Sequence, residues 1–238
     1  MGASGMDRLD TLEVYRDQGY MVVEDLLSPQ ACDRMIAAAR RLPEASLPDM
    51  PVAMQPHLHE SIFYDVLCYQ PITGRIEEAL GAEIVGLATH FYYCIPGCSG
   101  LMRHQDNFCV EAPVEHFASC WIPLVDVNDR NGCLRVYPGT HRTGILPVRT
   151  LAKDELRDTF RNMGEETVIA GDAPGVNLAV KRGTGIFLHG SVVHESLRNQ
   201  SSDFRYAFLG SYAKRGVPFR PGNTAKRYAI DLQTRTAL

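Results

Sequence analysis

Apolar and polar positions along the 238-residue chain follow two rhythms, and the change falls near residue 84. Before it, "DRLDTLEVYRDQGYMVVEDLLSPQACDRMIAAARRL" reads as helix, short strand and helix, with "YMVVEDLL" as the strand. Ser28 stands where a helix needs an N-cap and Pro29 occupies the first helical position. Met35, Ile36, Ala39 and Leu42 then recur at helical spacing and give that helix one apolar side. A further helix is predicted over 71–81, "PITGRIEEALG", ended by Gly81, which accepts the left-handed geometry of a helix end.

From about 84 onward, short β-branched and aromatic runs alternate with Gly, Pro, Asn and Asp. The runs are "EIVGLATHFYYCI", "SCWIPLVDV", "CLRVYPG", "VNLAVKRG", "GIFLHGSVVHESL" and "RYAFLGSYA". Strands of this length between turn signals predict an antiparallel sandwich or barrel. "RTLAKDELRDTFRNMG", residues 149–164, predicts a helical insertion among them. The fold class expected is mainly β with helices packed outside it. No repeat, low-complexity stretch or linker divides the chain, so one domain is expected over 7–238, once the opening "MGASGM" is set aside. It comprises a helical part (about 7–82), a β core (about 84–213) and a tail (214–238).

Composition narrows the function classes. An apolar content of 45 % supplies a sizeable core, and a net charge of −4 with scattered basic residues gives no footprint for nucleic acid. No run approaches the roughly 18 apolar residues that span a bilayer, and the first residues lack the charged and apolar regions of a signal peptide. A cytoplasmic protein with no membrane partner is the expectation. The seven cysteines are dispersed, with no C-x-x-C pair. They are expected as buried thiols in a reducing compartment, and the four between 94 and 120 lack the paired spacing of a structural zinc site.

The chemistry begins at "RHQDN". On an extended strand, positions i and i+2 share a face, so His104 and Asp106 converge either on a metal or on solvent. Two histidines and one carboxylate with open positions form the facial triad of non-haem Fe(II) oxygenases. The third donor would come from His189 or His194. Five residues apart on an extended run, these two face opposite ways, so at most one shares the interior with His104.

"HQD", "WIPLVDVNDRNGCLRVYPGTHRTG" and "HESLRNQSSDFR", in that order, resemble the phytanoyl-CoA dioxygenase family of Fe(II)/2-oxoglutarate-dependent oxygenases. "DQGYMVVEDLLSPQACDRMI" resembles the family's opening segment, so the likeness covers most of residues 17–212. It implies a double-stranded β-helix (jelly-roll, cupin-like) core. In this family the distal histidine ligand is followed eleven residues later by an arginine that binds the 2-oxoglutarate carboxylate, a spacing met by His194 and Arg205 and not by His189, whose counterpart is Gln200. The resemblance thus implies His104, Asp106 and His194 on Fe(II), Arg205 on 2-oxoglutarate, and His189 as a supporting or packing residue. With O2 as the other cosubstrate, it implies hydroxylation, desaturation or cyclisation of a small molecule, with release of succinate and CO2. A carboxylate at Asp106 favours these outcomes over halogenation, where a small residue replaces it.

Other positions follow from the same likeness. Trp121 falls where an aromatic lies beside the cosubstrate. The strand "THFYYCIPG" lacks the lysine often found there and leaves Tyr93 as a replacement polar anchor. Gly132, Pro138, Gly139 and His141 are expected as scaffold, with His141 a hydrogen-bonded support. Asn107 is a candidate to face the substrate, and the stretch holding His57, His59, Phe63 and Tyr64 a candidate wall of its pocket. Two rival readings use the same donors: a non-catalytic cupin-like barrel that binds a ligand or metal, and a zinc hydrolase, which needs an activated water but no carboxylate clamp.

Overall fold

The computed structural model describes residues 5–47, 52–152, 155, 164–171, 173–223 and 226–238, apart from the side chains of 5–10. The helical part opens with α1 (Gly5–Gln18), which starts inside the segment set aside above, followed by β1 (Tyr20–Val23) and α2 (Pro29–Ala39). Ser28 caps α2 as predicted, its hydroxyl accepting from the Ala31 N–H at 3.2 Å. The apolar side of α2 faces inward through Met35 and Ala39, both fully buried. After β2 (Val52–Met54) and α3 (Ser61–Leu67), α4 (Gln70–Leu80) occupies the predicted span and ends on Gly81 at φ 67°.

The β part comprises β3 (Ile84–Cys94), a one-turn helix α5 (Asp106–Val110), β4 (Phe117–Pro123), β5 (Leu134–Tyr137), β6 (Val148–Thr150), β7 (Glu165–Thr167), β8 (Val176–Leu178), β9 (Gly185–His189), β10 (Val193–Ser196) and β11 (Arg205–Lys214). Six strands form one sheet in the order β1-β9-β4-β11-β3-β2, and β10-β5-β8 form a second. Every ladder is antiparallel. The architecture is the double-stranded β-helix, mainly β with few helices. The helix expected at 149–164 falls largely outside the described residues; its first two residues instead end β6, which pairs with β7.

Strand alternation sorts the side chains into two cores. Ala118, Cys120 and Ile122 of β4 join Phe187 and Phe208 in a layer against α2, α3 and α4, where Met35, Phe63 and Ile76 pack. Trp121, Ile186, Leu188, Ala207 and Leu209 point the other way and meet Leu134, Val136 and Leu178 of the smaller sheet. The interior between the sheets is therefore lined by alternate residues of β4, β9 and β11. "HESL" and "RYAFL" do not form the hairpin that their sequence adjacency suggests, because β10 lies in the small sheet and β11 in the large one. Residues 197–204, polar from Arg198 to Asp203, make the crossing.

Gly100 holds the approach to this interior. At φ 73°, it lies where a Cβ would run into the carbonyl oxygens of Ser196 and Leu197. Gly100→Ala is expected to lower the unfolding free energy by at least about 2 kcal/mol, measured by urea denaturation, because left-handed strain and a backbone collision add.

Candidate metal centre

His104 and His194 face each other across a single antiparallel bridge, each N–H donating to the other's carbonyl at 2.9 and 3.0 Å. This bridge attaches the 104 segment to the edge of the small sheet beside β10. Asp106 is not on a strand: it is the first residue of α5, so its carboxylate reaches the histidines by a change of backbone direction. Ligand atoms of His104, Asp106 and His194 lie within 4.8 Å of one another. Asp106 Oδ1 is 3.6 Å from His104 Nε2 and 3.8 Å from His194 Nε2, and the two imidazole centroids are 4.2 Å apart.

Hydrogen bonds decide which atoms remain available. His104 Nδ1 donates to the Met102 carbonyl at 2.7 Å and His194 Nδ1 to the Val192 carbonyl at 3.2 Å. Both rings are thereby set in the tautomer whose Nε2 carries the lone pair a metal needs. Asp106 Oδ2 accepts from the Ser119 hydroxyl at 2.7 Å, which leaves Oδ1 toward the histidines. Burial, followed by the neighbouring His104, pushes His194 down to about 4, so the ring is neutral at neutral pH. Burial alone would raise the Asp106 carboxyl, but His194, His104 and Ser119 together outweigh it and hold it below the usual range. A neutral-imidazole, ionised-carboxylate set is the protonation state that binds a divalent cation.

Arg205 and Trp121 line the inner recess beside these three residues. Arg205 is 2 % exposed, and its guanidinium carbon lies 5.7 Å from the Trp121 ring centroid. Arg205 Nε is buried with no hydrogen-bond partner. Among the described residues, no carboxylate pairs with this arginine. A buried guanidinium with spare donors is able to receive an anion, and its planar fork suits a carboxylate.

The structure separates the other sequence candidates. His189 ends β9 in the large sheet, packs against Tyr15 and His141 at ring separations of 6.0 and 5.0 Å, and lines neither cavity at the cluster. Tyr93, the suggested second anchor, points away: its hydroxyl donates to the Ala39 carbonyl at 2.6 Å in the core against α2, and Tyr92 lines the recess instead. Asn107 does not face a substrate, because its side chain is spent on both backbone groups of Ala112, at 2.9 and 3.0 Å. His141 Nε2 donates to the Arg16 carbonyl at 3.1 Å, as a scaffold role implies. Phe63 is buried in the helical core, Tyr64 bonds the Asp231 carbonyl, and His57 bonds Thr89; neither they nor His59 line the two cavities. Ser119 went unnoticed, although it sits two residues before Trp121 on the same face of β4.

A sequence model of the family described as phytanoyl-CoA dioxygenase (PhyH) matches residues 15–207. The chain belongs to that family. Among its relatives, the mouse phytanoyl-CoA dioxygenase domain-containing protein 1 is 28 % identical over 171 residues, covering 70 % of this chain and 58 % of that one. The Arabidopsis thaliana phytanoyl-CoA dioxygenase is 32 % identical over 63 % of this chain and 53 % of its own. This PhyH-family chain thus spans little more than half the length of those relatives. The ectoine dioxygenase of Nocardia farcinica is 24 % identical over 80 % of this chain and 72 % of that one. In fold, the chain resembles the α-ketoglutarate-dependent epimerase SnoN of nogalamycin biosynthesis, with a TM-score of 0.75 at 19 % identity over 96 % of both chains. EctD from S. alaskensis, solved with 2-oxoglutarate and 5-hydroxyectoine, gives a TM-score of 0.75 at 16 % identity, covering 99 % of this chain and 88 % of that one.

The Ser119 contact makes a direct prediction for this PhyH-family site. Ser119→Ala should weaken binding of Co(II), followed by its visible absorption, by about 10- to 100-fold, with an unchanged circular dichroism spectrum. An unaltered affinity would show that the hydroxyl does not position the carboxylate.

Proposed function

We propose that this chain is an Fe(II)- and 2-oxoglutarate-dependent dioxygenase that hydroxylates, or oxidatively desaturates or cyclises, an unactivated C–H of a small-molecule substrate. His104, Asp106 and His194 would hold the iron, and Arg205 the carboxylate of 2-oxoglutarate, with Trp121 against it. When bound, iron and 2-oxoglutarate would together activate O2, which is the oxidant: two of its four oxidising equivalents convert 2-oxoglutarate to succinate and CO2, and the other two oxidise the substrate. The protein's part would be to present three donors to the ion, to keep the His194 imidazole neutral, and to hold the cosubstrate in a recess walled by Leu134, Leu188 and Leu209.

The observation that carries this reading is the pairing of a convergent His-Asp-His set with a buried guanidinium that lacks a counter-ion. A zinc hydrolase using the same donors has no use for such a clamp, and a non-catalytic barrel needs no open metal positions. The family membership and the SnoN and EctD likenesses support the same chemistry. The retained Asp106 carboxylate favours oxygen transfer over halogenation. Nucleic acid is not a partner in this reading. The helical part, β core and tail act as one domain, and the protein works in the cytoplasm, where its cysteines stay reduced. No disulfide joins them, and all but Cys109 are buried. Among the described residues, no helix is long and apolar enough to cross a membrane.

Succinate formation tests the reading. Purified protein given Fe(II), 2-oxoglutarate and O2 should produce succinate slowly without primary substrate, measured by mass spectrometry. The rate should fall in His104→Ala and in His194→Ala by more than the roughly 100-fold that losing an outer-shell partner costs. His189→Ala should retain it. No succinate from the wild type, or loss in His189→Ala with retention in His194→Ala, would overturn the assignment.

A further inference from the structure

From the metal cluster an outer cavity of about 170 Å³ opens past His104 and Asp106. That is room for a guest somewhat larger than benzene. Val110, Phe117 and Leu209 give it an apolar part, and His90, Ser211 and Arg227 a polar part. Arg227 belongs to the C-terminal tail, beyond residue 207 where the family match ends. The tail's course is fixed at several points. Ile230 and Gly86 exchange backbone hydrogen bonds at 2.8 and 3.0 Å, Gln55 donates to the Lys226 carbonyl at 2.6 Å, and Tyr64 donates to the Asp231 carbonyl at 2.9 Å. Arg227 is therefore a built part of the wall.

Its guanidinium is underused. Nη1 donates to the carbonyls of Cys109 and Arg220 at 3.1 and 3.3 Å, out of five N–H donors available to an arginine. No carboxylate pairs with it among the described residues, and Glu165, which lines the same cavity, makes no ion pair with it. Beside it, His90 has a buried Nδ1 with no hydrogen-bond partner. Burial first, then the Arg227 charge, push His90 down to about 4, so the ring is neutral and offers one donor and one acceptor. A cation and a neutral imidazole with spare valences therefore share a cavity that reaches the metal donors.

We propose that Arg227, with His90, binds a carboxylate of the primary substrate, so that the substrate class is a small organic acid whose apolar body lies against Phe117 and Leu209. This rests on the dioxygenase reading and deepens it. The two arginines divide the labour: Arg205 takes the cosubstrate in the inner recess, and Arg227 takes the substrate in the outer cavity. The family match over residues 15–207 includes the first arginine, and the second lies beyond it.

The test uses a pair of probes of one shape, cyclohexanecarboxylate and the neutral cyclohexanecarboxamide. Calorimetric titration is done anaerobically on protein loaded with Fe(II) and saturated with 2-oxoglutarate, which keeps the probes off Arg205. The acid should bind at least about tenfold more tightly than the amide, the scale of one charge-assisted hydrogen bond. That preference should vanish in Arg227→Met. Arg227→Gln, which retains donors for the Cys109 and Arg220 carbonyls, should lose it too and serves if the methionine variant fails to fold. Equal affinities in the wild type, or a preference that survives either folded variant, would overturn the proposal. Failure of 2-oxoglutarate itself to bind would count against the dioxygenase reading instead. In that event the acid-to-amide ratio, measured in Arg205→Met, still reports on Arg227.

Discussion

Two backbone hydrogen bonds between His104 and His194 set the geometry on which the rest of the site depends. A hydrogen-bonded antiparallel pair fixes the separation of its two residues, so the imidazoles stand side by side without help from the flexible parts of either side chain. Each ring is then oriented by a carbonyl two residues earlier, Met102 for one and Val192 for the other. The third donor arrives from a different kind of element: α5 begins at Asp106, is tied by the Asn107 N–H to the Gly190 carbonyl at 2.8 Å, and Ser119 fixes the carboxylate. A loop, a small-sheet strand and a large-sheet strand thus meet at one point.

The same interior shows where stability gives way to function. Burying a guanidinium without a counter-ion costs roughly several kcal/mol, and a protein selected only for stability would place an apolar side chain at Arg205. The apolar contacts of Trp121, Leu134 and Leu209 around it, and the helical layer behind the large sheet, offset that cost. Locally unfavourable choices of this kind concentrate at functional sites.

Much of this was legible in the sequence. Cap and stop signals located α2 and α4, and the apolar and β-branched runs located the strands of both sheets except β2, the three-residue edge strand of the larger one. The spacing from His194 to Arg205, read through the family pattern, separated His194 from His189; the structure gives the physical reason, since the chain crosses from the large sheet to the small one between them. What failed did so where tertiary structure overrides local pattern. Alternation along β3 puts Tyr92 and Tyr93 on opposite faces without saying which faces the interior. That choice depends on the irregular register near Leu87, where Ala88 and Gly86 pair with the consecutive residues Ser211 and Tyr212. Asp106 read as a strand residue because i and i+2 spacing describes a strand as well as a turn into a helix. Arg227 carried no local signal, because the tail reaches the cavity through tertiary contacts with Gln55, Tyr64 and Gly86 of β3.

In the proposed function, the His-Asp-His set and Arg205 act together on one complex of iron and 2-oxoglutarate. Anaerobic addition of Fe(II) and then 2-oxoglutarate, followed by visible absorption, tests it most directly, because chelation of iron by the keto acid gives a weak charge-transfer band. The wild type should develop the band, His104→Ala should not, and Arg205→Met should need far more 2-oxoglutarate to reach it. A wild type without the band, or a band of equal strength and affinity in both variants, would contradict it.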